Sequence, residues 1–106
     1  MSGKILADGT VGASVAAIYT VPADKYATLA GVLISNTSGT TETVVVALKR
    51  SGQTARRYAR AVLAPNEQFR VLDAGEEIAL VSGDAIQAGT TNAAACEFIV
   101  IGTEGL

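Results

Sequence analysis

"YTVPADKYATLAGVLISNTSG", residues 19–39, is a turn, a long apolar run and a second turn. Pro22 suits the second position of the first turn, with Asp24 behind it. The run 27–35 has no clean polar face. Under plain alternation Leu29 and Leu33 point one way, and Val32 and Ile34 the other. Ala27, Ala30 and Gly31 permit close approach on both sides. A strand of this kind needs cover on both faces. One face is expected in a sandwich core. The other is expected to be closed by the N-terminal arm or by a neighbouring subunit.

Outward from that stretch, turn signals recur at strand-like spacing. They are VPADK (21–25), NTSGTTE (36–42), RSGQ (50–53), APNE (64–67), DAGE (73–76), SGD (82–84) and GTTN (89–92). The segments between them run to about 5–10 residues, which suits an all-β sandwich or barrel. In TETVVVALKR (41–50), Val44, Val46 and Leu48 share one face, and Thr43, Val45, Ala47 and Lys49 the other. In EEIALV (76–81), Ile78 and Leu80 fall together. In CEFIVIGT (96–103), Phe98 and Val100 oppose Ile99 and Ile101. Residues 54–63, TARRYARAVL, contain good helix formers behind Thr54 as a possible N-cap. The segment is short, ends at Pro65 and has no capping-box glutamate, so a strand is preferred to a helix. The predicted fold is all-β, an antiparallel two-layer sandwich or jelly-roll-like barrel of about eight strands. Residues 1–13 are expected to form an arm or edge strand, and 14–106 a single β-sandwich domain.

The totals agree with one small domain. Of 106 residues, 49% are hydrophobic and only 17% charged, more apolar than a typical solvated monomer. Surface hidden between subunits would account for the excess, so a homo-oligomer is expected. No apolar run reaches the roughly 20 residues of a membrane-spanning helix. The opening MSGKILADGTVGASVAA has one lysine and no sustained apolar stretch, so a signal peptide is not expected. The single cysteine, Cys96, allows no internal disulfide.

Catalytic chemistry has little to work with. The absence of histidine removes Ser-His-Asp and Cys-His systems and most zinc or iron sites. Cys96, with no imidazole partner, reads as a buried structural thiol. Glu76 and Glu77 are adjacent and would point to opposite faces of a strand. Asp73 and Glu76 could flank a turn, but without the dense oxygen spacing of a calcium loop. GTVG (9–12) follows no strand and opens no helix, so it is not a phosphate loop. NTS (36–38) matches a glycosylation acceptor, but a turn is the better account. No enzyme activity, cofactor or metal is expected.

Charge is more informative. Lys49, Arg50, Arg56, Arg57, Arg60 and Arg70 are six of the eight cations, and within 49–70 they face one anion, Glu67. Beyond residue 70 there are six anions and no cation. Only Tyr58 accompanies the arginines and Trp is absent, so nucleic acid is not the expected partner. Docking of opposite patches on identical copies fits better, and the planar arginine fork suits carboxylate partners. The candidate interface residues are Lys49, Arg50, Arg56, Arg57 and Arg60 on a cationic hairpin, with Lys4, Ile5 and Leu6 on the arm.

The segment IYTVPADKYATLAGVLISNTSG (18–39) resembles one common in small structural proteins of tailed bacteriophages and prophages. There a "YTVPAGK"-like turn leads into a strand ending in "NTSG". TVVVALKRSGQTARRYARAVLAPNEQFRV (43–71) and GEEIALVSGDAIQA (75–88) continue the likeness over roughly residues 15–103, with Asp24 where the usual glycine stands. The resemblance implies a non-enzymatic β-sandwich protein of a virus particle, made in the host bacterial cytoplasm. A capsid decoration (cement) protein is the first expectation. It would bridge major capsid subunits as a homo-oligomer, preferably a trimer, without membrane contact. A head-fibre base or a tail or baseplate component is the alternative, and a carbohydrate- or nucleic-acid-binding module ranks below both, since Trp is absent and there are only three Tyr.

Overall fold

Strands account for all the regular structure of the described residues, which in the computed structural model are 4–71, 77–92 and 95–105. They are β1 (Lys4–Thr10), β2 (Ala16–Thr20), β3 (Tyr26–Asn36), β4 (Glu42–Lys49), β5 (Arg56–Leu63), β6 (Gln68–Arg70), β7 (Ile78–Leu80), β8 (Ala85–Thr90) and β9 (Cys96–Gly105). Residues 56–63 are strand rather than helix, as the proline stop suggested. The predicted turn at 73–76, with Asp73 and Glu76, lies outside the described residues.

The pairing is that of one long antiparallel hairpin. β4 pairs β5 at the tip, then β3 pairs β6 and β7, β2 pairs β8, and β1 pairs β9. Rolling this ribbon brings β3 beside β9 and β4 beside β8. Two antiparallel sheets result: sheet A in the order β1-β9-β3-β6, with β7 also on β3, and sheet B in the order β2-β8-β4-β5. With β6 and β7 counted as one interrupted strand, this is an eight-position jelly roll, one way of managing exposed sheet edges.

The core lies between the sheets. Sheet A supplies Leu29, Val32, Ile34, Phe98 and Val100, and sheet B supplies Tyr19, Val44, Val46, Leu63 and Ile86. The expected alternation holds in β4 and β9: Val44, Val46, Phe98 and Val100 are buried, while Val45, Ile99 and Ile101 are only half-buried on the outer faces.

In β3 plain alternation fails. Leu29 pairs Gly102 and Gly31 pairs Ile101, so Ala30 is an unpaired bulge. The extra residue reverses the phase of the strand. Leu29 therefore joins Val32 and Ile34 in the core, and Leu33 alone of the four faces outward. Leu6 in β1, Ile18 in β2 and Tyr58 in β5 are bulges of the same kind. The first turn also differs from expectation. Lys25 N donates to Pro22 O, so Pro22 takes the first position, not the second. Asp24 takes the third with φ 65°, the left-handed conformation that a type II turn requires there. Asn66 holds the same place in the turn 64–67, with φ 68°.

The described part of the arm does not cover the outer face of β3. It lies in the plane of sheet A as the edge strand β1, beyond β9. Gly102 lets both neighbours of β9 come close: a Cβ there would meet Thr28 O of β3 at 2.2 Å and the Leu6 Cδ1 of β1 at 3.0 Å.

Candidate interaction surfaces

The β4–β5 hairpin gathers the cations. Val45 pairs Arg60 and Ala47 pairs Arg57, so both arginines stand on the outer face of sheet B, with Lys49 on the same side of β4. Val62, opposite Thr43, is 55% exposed on that face. The Tyr58 bulge breaks the alternation of β5 toward the hairpin end. Arg50, Arg56, Arg57 and Tyr58 consequently line one open cleft of about 370 Å³ over Leu48. Among the described residues, the side chains of Arg50, Arg56, Arg57 and Arg60 have no hydrogen-bond or ion-pair partner. Among the described residues no strand pairs β5 on its outer side, and a bulge on an edge strand is a common device against indiscriminate pairing.

Asp84 anchors the hairpin base. Its Oδ1 accepts from Ser51 N at 2.9 Å and its Oδ2 from Val81 N at 3.0 Å. Its backbone carbonyl accepts from Val21 N at 2.9 Å. One buried carboxylate residue thus ties three connections together at this end of the sandwich. The sequence signal, SGD, reads only as a turn.

The outer face of sheet A is of the opposite kind. Ile99 pairs Asp8 on one side and Leu33 on the other, and Leu33 pairs Arg70. The next row is Thr10, Glu97, Ser35 and Gln68. Ile101 lies between Ile5, which is 57% exposed, and Gly31. The Arg70 guanidinium rests on Gly31, with Nη2 3.2 Å from the position of a Cβ. Asp8, Thr10, Leu33, Ser35, Glu97 and Ile99 line a shallow depression of about 360 Å³. An apolar centre bordered by two exposed carboxylates therefore lies open on this face.

The far end of the sandwich is closed by a polar cluster. Asn36, 1% exposed, donates through Nδ2 to Thr40 O at 2.8 Å and Leu63 O at 2.9 Å. Its Oδ1 accepts from Ser38 N and Ser38 Oγ. Its amide is fully engaged, which supports the turn reading of NTS. Glu42, with no exposed surface, accepts from Thr40 Oγ1 at 2.8 Å, Asn92 N at 3.0 Å and Asn92 Nδ2 at 2.9 Å. The Asn92 amide, then the Thr40 hydroxyl, hold the Glu42 carboxyl below its ordinary value, against the opposing effect of burial. Burial pushes the Cys96 thiol up, and the charge of Glu42 adds to the shift. At the hairpin end, the Tyr19 hydroxyl donates to the Glu104 carboxylate and links the two sheets. Burial, then that carboxylate, raise the Tyr19 phenol above its ordinary 10.0.

The predicted interface residues thus fall into two groups that do not meet. Lys49, Arg50, Arg56, Arg57 and Arg60 are brought together on the hairpin. Lys4, Ile5 and Leu6 stand on β1, and β1 and β5 neighbour opposite edges, β2 and β6. Leu6 is a half-buried bulge packed on the core, and so is less available for docking than Ile5. The side chain of Lys4 lies outside the described residues. Of the acidic C-terminal third, Asp84 and Glu104 are engaged internally, while Glu97 faces out. Asp8 and Glu97 are the site residues that sequence reasoning missed. Strand register, not composition, places them together.

Fold and surfaces define an all-β, two-sheet domain with two unlike outer faces. No family model, curated protein or solved structure matches the chain.

Proposed function

We propose that the chain is a non-enzymatic structural protein of a tailed-phage particle. It acts as a decoration (cement) protein that sits as a homo-oligomer, preferably a trimer, over junctions between major capsid subunits. The observation that carries the reading is the outer face of sheet A, where Ile5, Leu33, Ile99 and Ile101 are apolar and left uncovered by the described part of the chain's own arm. The sequence likeness to phage structural proteins supplies the setting. The mechanism is mass action: a protein that binds only the assembled shell shifts the equilibrium toward that shell.

Mass spectrometry of gradient-purified particles from the host carrying the gene tests the reading. The expected result is the chain at a copy number comparable with the major capsid protein, located on the head by electron microscopy. Location on the tail would move the role to a fibre base or tail component. Absence from particles overturns it. Deleting residues 2–12 is a poor probe of the arm, because it removes an edge strand. Ile5→Asp is cleaner, and unchanged head occupancy in that variant would exclude β1 from the contact.

A further inference from the structure

We propose that the two faces are complementary, so that the hairpin face of sheet B in one copy docks on the outer face of sheet A in the next. The sheet B face offers Arg57, Arg60 and the exposed Val62; the sheet A face offers Asp8, Glu97 and the apolar Leu33 and Ile99. Each patch has apolar surface bordered by charge: cations on sheet B, and on sheet A the carboxylates of Asp8 and Glu97, with the engaged Arg70 over Gly31 at the β6 side. Opposite potentials set register and suppress wrong contacts. The unpaired guanidiniums are suited to bidentate carboxylate pairing.

The same arrangement disfavours a two-fold dimer. Sheet A against sheet A would set Asp8 and Glu97 against their own copies, and sheet B against sheet B would do so with the arginines. The contact is therefore heterologous, with each copy using one patch of each kind. The smallest ring that such contacts close is a trimer; contacts that do not close run on as an open chain. Space is sufficient. The broad faces of the 41 × 31 × 19 Å molecule exceed the roughly 800 Å² per partner of a standard interface. The inference rests on the oligomeric part of the function proposed above, but not on the particle. A chain that assembles as described yet is absent from particles would overturn only the virion role.

The test is sedimentation of the purified full chain at up to about 100 μM, a range in which interfaces of micromolar affinity are occupied. Wild-type chain is expected to form trimers or longer assemblies that weaken as salt is raised. The double variants Arg57→Glu with Arg60→Glu, and Asp8→Lys with Glu97→Lys, should each weaken association roughly 100-fold. An equimolar mixture of the two should associate again, because each altered face meets its match on the other variant; the copies must alternate, so the products are open chains or even-numbered rings and not the closed trimer. Circular dichroism of each variant separates loss of fold from loss of contact; if a double variant is unfolded, the single variants Arg60→Glu and Glu97→Lys replace the pair. A monomeric wild type, a wild-type dimer that goes no further, or a folded variant pair that fails to reassemble would overturn the proposal. So would a wild type that stays monomeric and binds single-stranded DNA in a salt-dependent way, which would assign the arginine cleft to phosphate.

Discussion

Asn36 and Glu42 show how a loop of polar residues becomes the stopper of a sandwich. Both are buried, and every hydrogen bond available to them is local or crosses to a neighbouring connection. Removing one partner leaves buried groups unpaired, at about 1–3 kcal/mol. Asn36→Ala, which strands the carbonyls of Thr40 and Leu63, is expected to lose about that much in urea denaturation. Glu42 gives the acid limb its shape. Its folded carboxyl titrates below the ordinary 4.5, so its stabilising contribution is complete above that value and is lost as pH falls through the folded one. Thermal melts from pH 6 downward should show a steeper loss for the wild type than for Glu42→Gln below the ordinary value of 4.5. Cys96, buried and with its thiol pushed up, should react with a thiol reagent only after unfolding.

At the scale of the strand, the bulges decide which side chains count. Plain alternation gives Leu29 and Leu33 equal roles. With Ala30 as a bulge, Leu29→Ala should cost about 2–5 kcal/mol as a core deletion, and Leu33→Ala under about 1.5. Equal losses in chemical denaturation would contradict the bulge. Gly102→Ala should be worse tolerated than Leu33→Ala, because backbone lies where the methyl group would go. Overpacking of this kind costs about 1–3 kcal/mol or more. The strands themselves were legible because Val44, Val46, Phe98 and Val100 obey an unbroken period of two between clear turns. The bulges were not: Leu6, Ile18 and Ala30 are ordinary residues with no local mark, and only the partner strand shows that they are unpaired. The cationic half of the candidate surface was legible because its arginines are close in sequence. The acidic half was not, because Asp8 and Glu97 come from opposite ends of the chain and meet only through β1–β9 pairing, in which Asp8 stands opposite Ile99, two residues after Glu97 on the same face.

At the scale of the molecule, the rolled hairpin makes almost every pairing a distant one. Among the described strands only the tip, β4 with β5, is local. Topologies dominated by such pairings fold in roughly milliseconds to seconds, and stopped-flow refolding should fall in that range; a microsecond phase carrying the full amplitude would be inconsistent with it. The nesting has a further consequence for synthesis. Lys4 pairs Gly102, so β1 leaves the ribosome long before its partner β9. During translation the hairpin tip can zip first and β1 must wait, a bare strand on a growing chain. Its Gly9 and the unpaired Leu6 interrupt what would otherwise be a regular sticky edge, which would help keep that strand from pairing with a neighbouring nascent copy.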